Sequence, residues 1–256
     1  MTGVKGAVRL HVDGDVATLT LVRTDKHNAI SDVMWEQLTA HLHALIELDE
    51  VRVLVLRGEG SVFSAGADLQ DMVSATADEK SARAFALRVA ECLHALMTTP
   101  KVTIAVLEHH VRGAGAELAL ACDLRLAADD LQLQVPVARL GVVPDRFTVR
   151  RLLNLGGPAV ARRVLLLAEE LDATESHRLG LVDEVAHAGA LDHLLERILK
   201  GLRANEAGAV GITKQVLLEE EGLLRDPCDM VDEFARSLTA GPVSERGTRV
   251  LDRLRR

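Results

Sequence analysis

Two glycine-rich loops are the places in this sequence where backbone groups could do chemistry. The first runs from Arg57 to Asp68, and the second is Gly113-Ala114-Gly115. Each leaves an apolar, strand-like run and leads toward a helical stretch. A helix start carries unpaired N–H groups and the positive end of the helix dipole, so such a loop favours negative charge. Two loops of this kind, facing each other, could each give one N–H to a carbonyl oxygen as it becomes an oxyanion, worth roughly 3 to 4 kcal/mol per donor. The same pattern also describes glycines that merely end strands in an ordinary α/β sheet. Nucleotide and serine-hydrolase motifs are missing. Leu118 and Phe63 stand where a dinucleotide fingerprint needs its third glycine, and neither a Gly-Lys-Ser/Thr phosphate loop nor a Gly-x-Ser-x-Gly elbow occurs.

Other reactive side chains are less organised. His109 and His110 follow a strand, where neighbours point to opposite sides, so a shared metal is not expected. His41 and His43 lie two apart on a helix and do not share a face. Arg146, Arg150 and Arg151 either attract phosphates or pair with carboxylates. Cys92, Cys122 and Cys228 show no Cys-x-x-Cys spacing, which argues against a disulfide scaffold or a zinc site and fits a reduced, cytoplasmic setting.

The elements that must hold the loops follow from periodicity. Alternation from Ala7 to Val22 about Asp13-Gly14-Asp15 predicts a β-hairpin. Ser31 can cap a helix bearing Met34, Leu38, Leu42 and Leu45 at helical spacing. Val51–Leu56 reads as a buried strand. A helix between about Asp78 and Thr98 is stopped by Pro100. Val102–Leu107 is a second buried strand, followed by a short apolar helix from Ala116 to Cys122. Two strand-like pieces, Leu124–Ala127 and Leu131–Val135, come next. Beyond Asp145 helical segments dominate, broken at Gly156-Gly157-Pro158, Gly180, Gly201, Gly222, Pro227 and Gly241-Pro242. The reading is an α/β core, residues 1–195, with a helical region, 196–256.

Composition narrows the partners. The chain of 256 residues has 38 acidic against 30 basic side chains, a net charge of −8, which argues against nucleic acid or an anionic membrane surface as the main partner. Hydrophobic residues make up 48%, enough for a large core. No run of about 18 apolar residues is present to span a bilayer, and residues 1–10 show no secretory leader. With four Phe, one Trp and no Tyr, the core must be aliphatic, and stacking platforms for single strands are disfavoured.

Four stretches together carry a family resemblance: Arg23-Thr24-Asp25-Lys26-His27-Asn28-Ala29-Ile30; Val51 to Leu69 ending Phe63-Ser64-Ala65-Gly66-Ala67-Asp68-Leu69; Gly113-Ala114-Gly115-Ala116-Glu117 through Arg125; and Leu171-Asp172-Ala173 through Val185. In order and spacing they resemble the crotonase, or enoyl-CoA hydratase/isomerase, superfamily. The resemblance implies a spiral of ββα turns, a helical C-terminal region forming a homotrimer or a dimer of trimers, and an acyl-CoA thioester as substrate with no further cofactor and no metal. It implies an oxyanion hole made by the N–H groups of Ala67 and Ala114. Lys26, His27 and Ala29 would approach the nucleotide end of CoA, and Ala65, Asp68 and Leu69 would line the adenine and pantetheine path.

The acids and bases depart from the hydratase pattern. Glu117 falls on the first of the two glutamate positions that hydration of an enoyl thioester uses. It is either a capping carboxylate or, given its apolar neighbours Leu118-Ala119-Leu120-Ala121, a partly buried group aimed at the pocket. The second position is Val137, which cannot exchange a proton. Asp145 falls where dienoyl-CoA isomerases and chlorobenzoyl-CoA dehalogenases carry a functional aspartate, and it also suits a helix N-cap. The leading expectation is an acyl-CoA enzyme of the hydratase/isomerase type using Glu117, with or without Asp145. The alternatives are a non-catalytic acyl-CoA-binding protein of the same fold, a dienoyl-CoA isomerase-like enzyme, and a decarboxylase or thioester hydrolase.

Overall fold

Alternating apolar residues build the N-terminal hairpin. In the computed structural model, which describes residues 6–224, 232–239 and 247–252, strands β1 (Ala7–Asp13) and β2 (Val16–Val22) pair antiparallel about Gly14, whose φ of 56° suits the tight turn. The strands that follow are β3 (Val53–Gly58), β4 (Val102–Leu107), β5 (His110–Arg112), β6 (Leu124–Ala128), β7 (Gln132–Gln134), β8 (Leu171–Asp172) and β9 (Glu184–Ala186). They form a six-stranded sheet in the order β1-β2-β3-β4-β6-β9, parallel beyond the hairpin, and a three-stranded sheet in the order β5-β7-β8. The chain alternates between the sheets: β4 continues into β5 and β6 into β7. After β3, Ser64 bridges to Val111 and so extends the small sheet. Each such pair leads to helical structure, the ββα spiral that the resemblance implied.

The two faces of the large sheet explain its unbroken apolar runs. Leu54, Leu56, Ala105 and Leu107 face the main core, while Val53, Val55, Ile104, Val106 and Leu126 form a second layer on the opposite face. The main core is closed by α1 (Asp32–Ile46), with Met34, Trp35, Leu38, Leu42 and Leu45 buried, by α2 (Leu69–Ala75) and by α3 (Glu79–Thr98), capped by the Asp78 carboxylate on the Ser81 N–H at 2.7 Å. Ser31 holds the N-cap position of α1 without a side-chain bond to the helix. Next come α4 (Ala114–Ala121), α5 (Val137–Leu140), α6 (Arg146–Leu166), α7 (Ala173–Arg178), α8 (Leu191–Arg203), α9 (Ala207–Glu220) and α10 (Asp232–Thr239).

Several expectations need correction. Helix α4 starts at Ala114, two residues before the expected Ala116, because Gly113 at φ 49° makes the turn and Gly115 already belongs to the helix. Gly201 lies inside α8 instead of ending it, whereas the break expected at Gly156-Gly157-Pro158 is present: Gly157, at φ 75° and ψ 177°, leaves the helical conformation and kinks α6 there. Strands β8 and β9 were not foreseen, since two or three residues cannot display a period. Pro227, Cys228 and Gly241-Pro242 lie outside the described residues.

The expected limit between residues 195 and 196 falls within α8, whose Leu191, Leu194, Leu195 and Leu199 together cover the second face of the sheet. Helix α9 is tied down by buried Lys214. Its ammonium donates to the Lys101 carbonyl at 2.9 Å and to Asp123 at 2.8 Å, and Asp123 also accepts from the Thr103 N–H and hydroxyl. Among the described residues no helix is long and apolar enough to cross a membrane. Lys214→Met removes the charge facing Asp123 and leaves that carboxylate half-buried without its cation. We expect a loss of about 2 kcal/mol or more, read as a lower urea midpoint at unchanged slope; an unmoved midpoint would show that the pair does not anchor α9.

Candidate active site

The site is assembled from three backbone segments. In the first, a 3-10 turn (Thr24–Lys26) leads to His27 and Asn28, both left-handed at φ 49° and 55°. Asn28 is fully buried and saturates its amide: Oδ1 accepts from the Arg23 N–H at 2.9 Å, and Nδ2 donates to the Glu59 and Val62 carbonyls at 2.9 and 2.7 Å. It thereby fastens the loop after β3 to residues 23–30. Three backbone bonds continue the seam, from Ala65 N–H to the His27 carbonyl, Ile30 N–H to Gly66, and Asp68 N–H to Ile30, each at 2.8 Å.

Gly66 brings this pair of segments against the third. At φ 101° it adopts a conformation open to glycine, and a Cβ there would stand 2.7 Å from the Arg112 carbonyl oxygen and 3.5 Å from the Ala114 nitrogen. The two glycine loops therefore meet. Ala67 and Ala114 lie on either side of this contact, and among the described residues neither N–H has a protein acceptor. Ala114, where many relatives have glycine by the resemblance, is helical and needs no positive φ; Gly113 supplies it.

The six residues expected to meet CoA fall on two neighbouring stretches, 26–29 and 65–69. Lys26, His27 and Ala65 are exposed, and Ala29 and Leu69 are half-buried. Asp68 has structural duties. Its carboxylate caps α2 through the Gln70 and Asp71 N–H groups at 2.8 and 3.1 Å and accepts from the Arg23 guanidinium at 2.6 Å.

The carboxyl groups stand apart from these. Glu117 lies one helical turn beyond Ala114, so its side chain and that N–H share a face of α4. It is buried, its carboxyl receives no hydrogen bond among the described residues, and its pKa is pushed up to about 8, first by burial and then by the negative charge of Asp145. Asp145, also buried, is the N-cap of α6: its carboxylate accepts from the Thr148 N–H at 2.9 Å and from the Thr148 hydroxyl at 2.5 Å. Burial raises it, and the Thr148 bonds oppose that rise. Asp145 is therefore an N-cap, the second of its two expected readings, and its charge also acts on Glu117. With donors on Asp145 and none on Glu117, the neutral-pH proton resides on Glu117. Val137, buried at the start of α5, adds no titrating group.

Some residues that matter to the frame carried only a weak signal in the sequence. Arg151, expected either to attract phosphates or to pair with a carboxylate, does the latter and is buried on α6. Its Nε and Nη2 donate to the Leu120 and Cys122 carbonyls at 2.7 and 3.2 Å, and Nη1 pairs with Glu221 at 2.8 Å. Arg125 donates to the same Cys122 carbonyl at 2.7 Å and pairs with Asp183 at 2.7 Å. These guanidinium groups hold the C-terminal end of α4, where unpaired carbonyls attract cations. An arginine within an apolar helical stretch was the available clue. The expected opposite orientation of His109 and His110 does not hold: their ring centroids are 4.0 Å apart, because His109 at φ 49° leaves the extended conformation. Among the described residues no group of three or more His, Cys, Asp or Glu could hold a metal.

Comparison with known proteins places this arrangement. Residues 11–217 match the family model described as enoyl-CoA hydratase/isomerase. A protein of Bacillus subtilis (strain 168) described as a probable enoyl-CoA hydratase is 35% identical over 176 residues, 69% of this chain and 67% of its own length. Among solved structures, an enoyl-CoA hydratase/isomerase from Xanthobacter autotrophicus Py2 has a TM-score of 0.87 at 27% identity, covering 96% of this chain and 93% of that one. A protein from Thermobifida fusca YX, solved in complex with acetoacetyl-CoA, has a TM-score of 0.76 at 31% identity, covering 97% and 94%. The fold, the matched span and the identity agree: this chain belongs to the enoyl-CoA hydratase/isomerase family.

Proposed function

We propose that the protein binds an enoyl-CoA thioester with its carbonyl oxygen between the Ala67 and Ala114 N–H groups and moves a proton along the acyl chain with Glu117 and Asp145. The reading rests on one observation above all: two buried carboxyl groups, one raised by the other's charge, of which Glu117 lies one helical turn from Ala114, accompany two N–H groups that lack a protein acceptor among the described residues. Lys26, His27, Ala29, Ala65, Asp68 and Leu69 form the path for CoA, with Lys26 meeting its phosphates. The acetoacetyl-CoA held by the Thermobifida fusca YX protein supports a thioester ligand.

Val137 favours isomerisation over hydration. Adding water calls for two groups to align and deprotonate it, whereas shifting a double bond needs only removal of a proton at one carbon and its return at another. In this scheme ionised Asp145 takes a proton from one carbon, and the electron pair of the broken C–H bond moves onto the thioester oxygen. The resulting dienolate is held by the two N–H donors. Glu117, protonated, then gives its proton to the other carbon, the double bond forms in its new place, and the proton on Asp145 passes back to Glu117. Assembly as a trimer or dimer of trimers is part of the proposal, supported by exposed Leu166 and Leu167 at the C-terminal end of α6 and Ile212, Val216 and Leu217 on α9. Sedimentation equilibrium should give a multiple of three chains.

Substitution and pH dependence test the chemistry. Glu117→Gln should lower turnover of enoyl-CoA substrates by about 100-fold or more, and unchanged turnover removes its role. In the wild type the rate should fall as pH rises through about 8, when Glu117 loses its proton. The same group makes a stability prediction. The unfolded chain ionises Glu117 near 4.5 and the folded one near 8, so folding weakens as pH rises across that interval, and Glu117→Gln should gain thermal stability over wild type at pH 8 but little at pH 4.5. Asp145→Asn should keep the cap, since asparagine caps as well as aspartate, and hold its melting temperature while losing turnover. Calorimetry showing acyl-CoA binding without any turnover would favour a binding protein instead.

A further inference from the structure

We infer that Ser64, which touches none of the reacting atoms, is the positioning residue that aims the Ala67 and Ala114 N–H groups at one point. The inference rests on the thioester reading above and goes beyond it by naming what holds the two donors in register. Ser64 is fully buried. Its hydroxyl donates to the Asn28 carbonyl at 2.8 Å and accepts from the Gly66 N–H at 3.1 Å. Its own N–H donates to the His110 carbonyl at 3.0 Å, and its carbonyl accepts from the Arg112 N–H at 3.0 Å. One residue thus bonds to the 23–30 segment, to its own glycine loop and to β5, the strand that runs directly into Gly113 and Ala114.

The hydroxyl answers a specific problem. Gly66 must be glycine to pass Arg112, and glycine also brings broad rotational freedom to the peptide that carries the Ala67 N–H. Two bonds remove that freedom: Ser64 Oγ holds the Gly66 N–H, and the Ile30 N–H holds the Gly66 carbonyl at 2.8 Å. On the other side Ser64 supports α4. A Cβ at Gly115 would lie 2.8 Å from Ser64 Cβ and 3.0 Å from its Oγ, so the first turn of α4 rests on this side chain. Both donors are therefore referenced to Ser64, and small angular errors in such donors are costly because they act on the charge that develops in the transition state.

The test uses acetoacetyl-CoA and free CoA on the intact protein. Two donors on the thioester oxygen favour the enolate of acetoacetyl-CoA, which appears as growth of its ultraviolet band; free CoA has no such oxygen. Ser64→Ala keeps the packing against Gly115 and removes only the hydroxyl. The enolate band should fall by about tenfold, while free CoA binds within about twofold of wild type by calorimetry. Ser64→Cys, with its weaker donor and acceptor, should restore part of the band and also serves if the alanine variant folds poorly. A wild-type band in Ser64→Ala overturns the inference and leaves the thioester reading standing. An equal loss of free CoA affinity also overturns it, since the hydroxyl would then support the whole loop. Absence of the band from the wild type overturns both.

Discussion

The close passage of Gly66 over the Arg112 carbonyl is the contact on which the rest of the molecule depends. It is possible because the chain steps repeatedly from the large sheet to the small one, so that Ser64 pairs with Val111 and the two glycine loops arrive at the same level. Any side chain at Gly66 would separate them. The Ala67 and Ala114 N–H groups, which have no protein acceptor among the described residues, lie on either side of that contact.

Electrostatics adds a second constraint. A buried carboxyl without donors and a buried carboxyl with two donors cannot share a site as equals, so burial and mutual repulsion separate their proton affinities. The pair that results can act as an acid and a base at one pH. The cost is stability above mildly acidic pH, and the surroundings offset it with rigid anchors. Arg151 and Arg125 hold the carbonyl end of α4, and Lys214 holds α9 against Asp123. In a chain of net charge −8, these cations are spent inside the structure, while Lys26 is exposed beside the expected CoA path.

The aliphatic composition fits the same picture. Four Phe and one Trp leave Leu, Val, Ile and Ala to fill both faces of the large sheet, and the parallel strands β3 and β4 show it as runs with no polar alternation. Ser64, Asn28, Glu117 and Asp145 are among the few buried polar side chains. Three of the four are hydrogen-bonded through their side chains, and Glu117 is the one that is not.

Much of this was legible in the residues. The hairpin, β3, β4, α1 and α3 follow from periods of 2 and 3.6 and from the stops at Gly14 and Pro100, and the family follows from four spaced motifs. Local rules failed where the period was too short or the backbone departed from the regular: β8 and β9, the start of α4 at Ala114, Gly201 within α8, and the left-handed His109 that brings two histidine rings together. The sequence by itself determined which groups are present, including the loss of the second glutamate to Val137, because residue type sets what can exchange a proton. Only the tertiary structure decided that Asp145 both caps α6 and raises Glu117, that Arg151 is an internal clamp, and that Ser64 joins three segments. Those are properties of distance and burial between residues far apart in the chain, which spacing along it does not encode.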